Sequence, residues 1–318
     1  MTSRAGRTPL KIPAAALLTA LVALFAAACG SDSEDSGGAT VSATTGILAD
    51  ITEQIAGDDA EVVQVIPEGS SPHDFQLSAQ DRAGSEDSVL LVHNGAELES
   101  GVPVGEIGGE QFALTDNVGE LLPLEEAGAH HGEHEEGEVH SEDPHVWMDP
   151  TRVAVAVPAL AEALAEADPD NADAYRQRAE EYAAQLSALD AEIEQQLAAI
   201  PADGRELVTS HDALGYFADR YGFEVVATPF PASGPEAEAS AARINEVQEA
   251  VRRTGVPTLF SEQEDDPEVL ELIANEAGVE VVDGLLVESP GDAGSYVEML
   301  RRDAQLIRDG LSVERPQG

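Results

Sequence analysis

The chain has 318 residues, of which 62 are acidic and 16 are Lys or Arg, and its formal net charge at pH 7 is −46. Such a surface repels nucleic acids and anionic lipids, which argues against both as partners. The aromatic content of 4% is low for a cleft that binds a sugar or a peptide.

The first residues are predicted to be an export signal. A basic start is followed by an apolar run from Ile12 to Ala28. The run is short and leads into a polar stretch, which is typical of a secretory signal peptide over residues 1–28. Cys29, the only cysteine, directly follows Ala-Ala-Ala, as at the cleavage site of a bacterial lipoprotein. We therefore expect lipidation of Cys29; ordinary signal cleavage beside an incidental cysteine is the alternative.

Residues 29–40 are predicted to be a flexible, charged tether. Their sequence, CGSDSEDSGGAT, consists of small and acidic residues apart from the cysteine. The expectation is an extracytoplasmic protein held on the outer face of a membrane by a lipid anchor. Because no cysteine follows Cys29, no internal disulfide can form, and apolar burial must stabilise the fold.

Strand and helix patterns alternate along residues 41–167 and again along residues 201–318. In the first block, TVSATTG and EVVQVIP predict strands around the amphipathic helix ILADITEQIAG. The apolar run in SVLLVHNG predicts a strand buried on both faces. In the second block, RELVTS, FEVVATP, VPTLFS and VEVVDG predict strands that alternate with helices. The pattern predicts an α/β fold of two lobes, each with a parallel sheet flanked by helices.

The segment 168–200 is predicted to be one long helix that joins the lobes. Its apolar residues recur at steps of three and four: Tyr175, Ala179, Tyr182, Leu186, Leu189, Ile193 and Leu197. Around 30 residues at about 1.5 Å each give a length of about 45 Å, enough to run along both lobes. A single helix of this kind allows only a small opening motion.

Three histidines and one aspartate stand at the ends of predicted elements. His73 follows the second strand, and His145 lies in the turn EDPHVWMDP before a helix. His211 and Asp283 end two strands of the second block. Ligands of open parallel sheets bind beyond the carboxyl ends of the strands, so these groups are expected to share a cleft. Three histidines and one carboxylate suit Zn²⁺ in a roughly tetrahedral shell.

At these residues the chain resembles the solute-binding proteins of bacterial ABC importers for zinc and manganese, known as cluster A-I. The resemblance runs from Thr40 to the C-terminus, and PHDF, DPHVWMDP, SHDALGYFADRYGFEVV and VEVVDGL carry it in the family's order. It implies two α/β lobes joined by one long helix, with the metal between them. It also implies that His73, His145, His211 and Asp283 are the four ligands.

The function implied by the resemblance is that of a monomeric carrier, which captures Zn²⁺ and delivers it to a membrane permease. Members with a carboxylate at the third ligand position tend to carry manganese, so His211 favours zinc. Some zinc-specific members have a glutamate where Pro72 stands, which strengthens Asp283 as a ligand and leaves Mn²⁺ open as cargo. A metal-dependent surface adhesin of the same fold is a further alternative.

The segment before His145 is rich in histidine and acid. Residues 129–141 contain four histidines: His130, His131, His134 and His140. The absence of apolar periodicity predicts a mobile loop, and similar loops occur in zinc-type members of the family. One hypothesis is that the loop collects zinc weakly near the cleft; the alternative is a solvated insertion.

Other candidate residues have secondary roles. His93, at the end of a buried strand, is predicted to be structural, and Trp147 is predicted to pack under the His145 turn. Three acids are candidates to orient ligand histidines as hydrogen-bond acceptors, or to be helix caps or surface acids: Asp74, Asp149 and Glu262.

A zinc hydrolase is the rival from another functional class. That chemistry needs an open metal position and a nearby general base. The segment HGEHEEGEVH does not fit the H-E-x-x-H pattern, because residue 138 is Glu138. No Ser/His/Asp nucleophile pattern stands out either. We therefore predict a carrier and not an enzyme.

Overall fold

The computed structural model describes residues 38–124, 142–230, 240–263 and 267–312. Outside these ranges lie the predicted signal peptide, Cys29, most of the tether, and the four histidines of the predicted His-rich loop. Among the described helices, none combines the length and apolarity that a bilayer span requires.

The first lobe is built on a parallel sheet of four strands. Its strands are β1 (Ala39–Ala43), β2 (Ala60–Gln64), β3 (Leu90–His93) and β4 (Glu110–Ala113). Their spatial order is β2-β1-β3-β4, and Val41 of β1 pairs with Val62 on one side and Leu90 on the other. The apolar residues of β3 are all buried, as expected of a strand covered on both faces.

Helices cover this sheet and lead away from it. They are α1 (Gly46–Ala56), α2 (Ala79–Ala83) and α3 (Pro150–Ala167). The Asp149 side chain caps α3 by accepting the Thr151 N–H at 2.8 Å. Pro150 suits the first helical position, because the N–H that it lacks has no partner there.

The long helix is α4, which spans Ala172–Leu197 and has 26 residues. It begins later than predicted, because α3 ends before Asp168 and a 3₁₀ turn over Pro169–Asn171 separates the two helices. All seven apolar residues of the predicted stripe are buried. Helix α4 packs against α3 and α1 of the first lobe and against the last helix of the second lobe.

The second lobe contains two pairs of parallel strands. They are β5 (Glu206–Val208) with β6 (Glu224–Ala227), and β7 (Thr258–Glu262) with β8 (Glu280–Leu285). A parallel bridge between Thr209 and Phe260 links the pairs. The helices are α5 (Gly215–Tyr221), α6 (Ala241–Thr254), α7 (Glu268–Ala277) and α8 (Tyr296–Leu311). The predicted α/β class, with parallel sheets flanked by helices, is confirmed.

One buried apolar cluster continues from the first lobe into the second. It includes Ile51 of α1, Leu186 of α4, Phe217 of α5 and Leu300 of α8. A separate buried cluster lies within the second lobe around Val247, Leu259 and Ile273. Because the shared cluster is continuous, a large separation of the lobes would expose apolar surface, which is unfavourable in water.

Candidate metal site

The structure brings the three predicted histidines together. His73, His145 and His211 each offer a ring nitrogen, and these atoms all lie within 4.8 Å of one another. The Nε2 atoms of His73 and His145 are 3.3 Å apart. His145 is fully buried, and the side chains of His73 and His211 are 11% and 12% exposed. A cation held here would be largely removed from solvent.

The elements that carry these histidines explain why they meet. His73 lies between β2 and α2, and His145 precedes the 3₁₀ turn Val146–Met148 that leads into α3. His211 follows β5, close to the bridge that joins the two strand pairs of the second lobe. His73 and His211 therefore lie beyond the carboxyl ends of parallel strands, where open α/β sheets bind ligands.

The acid beside the histidines is Glu288, and this corrects the prediction of Asp283. The Glu288 Oε1 atom is 3.3 Å from His73 Nε2 and 3.9 Å from His211 Nε2. Asp283 is exposed and pairs with Ser261 inside β8. The motif VEVVDG suggests that the strand ends at Asp283, but Gly284 adopts φ 102° and the strand continues to Leu285. Asp283 thus stands within the strand and not beyond its end.

Glu288 was missed, although the sequence contains a signal for it. Leu285, Leu286 and Val287 form a fully buried apolar run, and Glu288 directly follows that run. A carboxylate at the end of a buried run in a parallel α/β lobe is expected at the cleft edge of the sheet. Strand β3 shows a similar pattern, because His93 follows its buried apolar residues.

Two buried carboxylates orient the ring planes of His145 and His211. Asp143 Oδ1 lies 2.7 Å from His145 Nδ1 and also accepts the His145 backbone N–H at 2.9 Å. Glu262 Oε1 lies 2.7 Å from His211 Nδ1. Histidines that bind metals usually donate their second ring N–H to a carboxylate in this way, which leaves the other nitrogen as the ligand.

The three acids considered in the sequence have different positions. Glu262 contacts His211, as described above, whereas Asp149 caps α3 and Asp74 is exposed. Asp143, the acceptor for His145, was missed. Its position two residues before His145 fits an aspartate that accepts a backbone N–H two residues on, which was the available signal.

Burial shifts the pKa values of two residues of the cluster, His73 and Glu288. The pKa of His73 is lowered to about 3, first because of its burial and then because of the nearby His145 and His211 rings. The pKa of Glu288 is raised, chiefly by burial. A neutral imidazole exposes the lone pair that a metal requires, so His73 is ready to bind a cation at neutral pH.

His93 and Trp147 do not belong to this cluster. Among the residues that the structure describes, His93 is not within the group of converging nitrogens. Its pKa is lowered by burial, opposed by the charges of Glu99 and Asp116. Trp147 is buried with its ring centroid 5.3 Å from that of His145, so it packs against the His145 turn as predicted.

Two of the separations between donor atoms match those of a tetrahedral zinc shell. Bonds of about 2.0–2.1 Å place neighbouring donors about 3.3–3.4 Å apart in a regular tetrahedron. Two separations, from His73 Nε2 to His145 Nε2 and to Glu288 Oε1, are both 3.3 Å. A third separation, from His211 Nε2 to Glu288 Oε1, is 3.9 Å, and the cluster therefore has the donor types and approximate dimensions to hold one divalent cation.

Two proteins of similar sequence are named as metal-binding lipoproteins. The zinc-binding lipoprotein AdcA of Streptococcus pneumoniae serotype 4 is 30% identical over 312 residues, covering 94% of this chain and 61% of AdcA. This chain thus spans less than two thirds of AdcA. The manganese-binding lipoprotein MntA of Halalkalibacterium halodurans is 28% identical over 302 residues, covering 92% of this chain and 96% of MntA.

A solved structure and a protein-family model also match this chain. The periplasmic zinc-binding protein TroA from Treponema pallidum superimposes with a TM-score of 0.77 at 27% identity, covering 87% of this chain and 100% of TroA. Residues 41–310 match the family described as ZnuA, zinc-uptake complex component A, periplasmic. Since that match includes both lobes and the long helix between them, this protein belongs to the ZnuA family.

Proposed function

We propose that this protein captures Zn²⁺ outside the cytoplasmic membrane and delivers it to the permease of an ABC importer. The observation that carries the proposal is the convergence of three imidazole nitrogens on one point of the cleft, with the Glu288 carboxylate beside them. The ligands are His73, His145, His211 and Glu288. The family's description as a zinc-uptake component supports transport as the purpose of binding, and the name of AdcA supports zinc binding.

Zinc is the preferred cargo because of the donor set. Three nitrogen donors favour Zn²⁺ over Mn²⁺ in the usual order of divalent-metal affinities. Four protein donors also complete a tetrahedral shell, so no position remains for the activated water that a zinc hydrolase needs. Mn²⁺ is the second candidate cargo, since MntA resembles this chain along almost its entire length.

Capture and release then follow from burial. The donor atoms come from both lobes, and the side chains that carry them are at most 12% exposed. Zn²⁺ can leave only when some of these donors separate. Because the apolar cluster shared by the lobes resists a large opening, a small displacement imposed by the permease is the expected trigger. Export and lipidation at Cys29 would hold the carrier beside that permease.

Metal analysis of the purified protein tests the proposal. The mature protein is prepared without added metal, its metal content is measured, and the stripped protein is titrated with Zn²⁺ and Mn²⁺ against a competing chelator. We expect one tight Zn²⁺ per chain, weaker Mn²⁺, and loss of the tight equivalent in His211→Ala. A stripped protein that binds both ions no more tightly than His211→Ala does would overturn the proposal.

A further inference from the structure

Trp147 joins the two lobes at the metal site. Its side-chain Nε1–H donates to the Val287 carbonyl at 2.8 Å, and its own carbonyl accepts the hydroxyl of Tyr296. Trp147 belongs to the turn that carries His145, whereas Val287 and Tyr296 belong to the second lobe. All three residues are buried, so these hydrogen bonds are shielded from competition with water.

The Val287 carbonyl lies one residue before the Glu288 carboxylate. Strand β8 ends at Leu285, so the sheet does not hold this segment directly. It is held instead on two sides, because the Leu286 N–H donates to Asp303 of α8 at 3.0 Å and the Val287 carbonyl accepts from Trp147. Removal of the Trp147 donor would leave the segment without this hydrogen bond to the His145 turn.

The Trp147 ring also contacts the other ligand. Its centroid is 5.3 Å from that of His145, with the planes at 70° in an edge-to-face arrangement. One side chain therefore packs against His145 and holds the backbone beside Glu288. These two ligands come from opposite lobes, and besides Trp147 the His73 ring also reaches both, with its Nε2 atom 3.3 Å from His145 Nε2 and from Glu288 Oε1.

We propose that Trp147 is a positioning residue for metal capture, which holds Glu288 at the separation from His145 that a bound metal ion needs. The inference rests on the proposed function. The distance between His145 and Glu288 across the cleft is then fixed before the metal ion binds. His73, which lies outside the strands and helices between β2 and α2, depends on Trp147 much less.

The test removes the N–H donor and keeps an aromatic, smaller ring at position 147. Trp147→Phe lacks the indole N–H, and Tyr182→Phe is the matched control, because the buried Tyr182 hydroxyl has no hydrogen-bond partner among the described residues. Zn²⁺ affinity is measured by chelator competition. We expect Trp147→Phe to weaken binding by about tenfold to hundredfold, the usual loss for residues that orient metal ligands, and Tyr182→Phe to bind like the wild type.

A double-mutant cycle separates positioning from a general loss of structure. If Trp147 acts through Glu288, the effect of Trp147→Phe should shrink to less than about threefold in a Glu288→Ala background and persist in a His73→Ala background. Equal losses in the two backgrounds, or wild-type affinity in Trp147→Phe, would overturn the inference. If Trp147→Phe does not fold, Tyr296→Phe takes its place in the cycle, because it removes the donor to the Trp147 carbonyl.

The two proposals fail in different ways. A wild-type protein that binds neither Zn²⁺ nor Mn²⁺ tightly would overturn the proposed function and this inference together. A wild-type protein that binds Zn²⁺ tightly, with equal losses in both backgrounds, would overturn only the role of Trp147. Melting temperatures of all variants are measured in parallel, because a merely structural role would lower them without changing the coupling to Glu288.

Discussion

A carboxylate that binds the same metal ion as the histidines has to lie close to their ring nitrogens, and the Glu288 carboxylate does so. We predict that Glu288→Gln lowers the affinity for Zn²⁺ by at least about tenfold, because the amide keeps the shape of the side chain but lacks the charge that attracts the cation. Chelator competition at neutral pH measures the change.

Asp283→Asn is the matched control for this substitution. It removes the same charge five residues away, at an exposed position of β8, and should leave the affinity unchanged. If Asp283→Asn loses binding and Glu288→Gln does not, Asp283 is the fourth ligand, as first predicted from the sequence.

Close packing fixes the position of Asp143, the carboxylate that orients His145. A Cβ atom added to Gly215 would lie 2.5 Å from Asp143 Oδ2, so Gly215→Ala must displace the carboxylate that holds His145. We predict that Gly215→Ala and Asp143→Asn each weaken Zn²⁺ binding by about tenfold to hundredfold. Gly105→Ala is the control, because a Cβ at Gly105 meets no atom within 4 Å. Wild-type affinity in Gly215→Ala would mean that Asp143 can move without cost.

At the scale of elements, the segment with four histidines can be separated from the proposed ligands. The described residues on either side of the gap are joined by an antiparallel bridge between Pro123 and Glu142, so a short linker can replace residues 129–141. We predict that the tight Zn²⁺ equivalent survives this deletion and that only weaker equivalents disappear. Calorimetry measures both classes, and loss of the tightest one would mean that the segment supplies a ligand.

The elements also show what the sequence could predict. The spacing of apolar residues predicted α4, because a helix that packs on neighbouring helices needs one apolar stripe. Apolar runs predicted the buried strands for a similar reason. The end of β8 could not be predicted in the same way. A glycine after an apolar run usually indicates a turn, but Gly284 adopts φ 102° and the strand continues to Leu285. For this reason the sequence pointed to Asp283 and not to Glu288 as the acid beside the histidines.

Contacts between distant residues were beyond the reach of sequence spacing. Glu262 is 51 residues from His211, and no periodicity connects them. The three histidines proposed as ligands could be predicted because they follow recognisable strands or precede a helix. Glu262 was a candidate acceptor in the sequence, but its pairing with His211 depends on packing between elements, whereas Asp143 is local to His145 and had a signal that was overlooked.

At the scale of the whole molecule, acid should favour the open form of the cleft. We call the arrangement in this structure, with the three histidines together, the closed form. In it the pKa of His73 is lowered to about 3, whereas a solvated histidine titrates near about 6.5. The closed form therefore binds fewer protons, and its stability relative to an open form falls as the pH drops below about 6.5 and on toward about 3. We predict that Zn²⁺ affinity decreases steeply between pH 7 and pH 5.

Competitive Zn²⁺ titrations at constant salt measure this dependence. His73→Ala should show a shallower slope, because one proton that competes with the metal is gone. An affinity that is flat from pH 7 to pH 5 in the wild type would contradict a site with three histidines and favour one dominated by carboxylates.

The charge of the whole chain should speed the capture of cations. The net charge of −46 creates a negative potential that raises the local concentration of divalent ions. We predict that the association rate for Zn²⁺ falls with rising ionic strength, as salt screens this potential. Stopped-flow mixing at several salt concentrations measures the rate; a constant rate would mean that the surface charge has no part in capture.

Trp147 has a consequence for experiments on this protein. It is the only tryptophan of the chain, it is buried, and its ring lies against that of His145. Indole emission depends on the charge and polarity of its immediate neighbours, and a cation bound to His145 would change both. The protein thus contains its own fluorescent reporter of an occupied cleft, which allows metal arrival and departure to be followed in time without any attached dye.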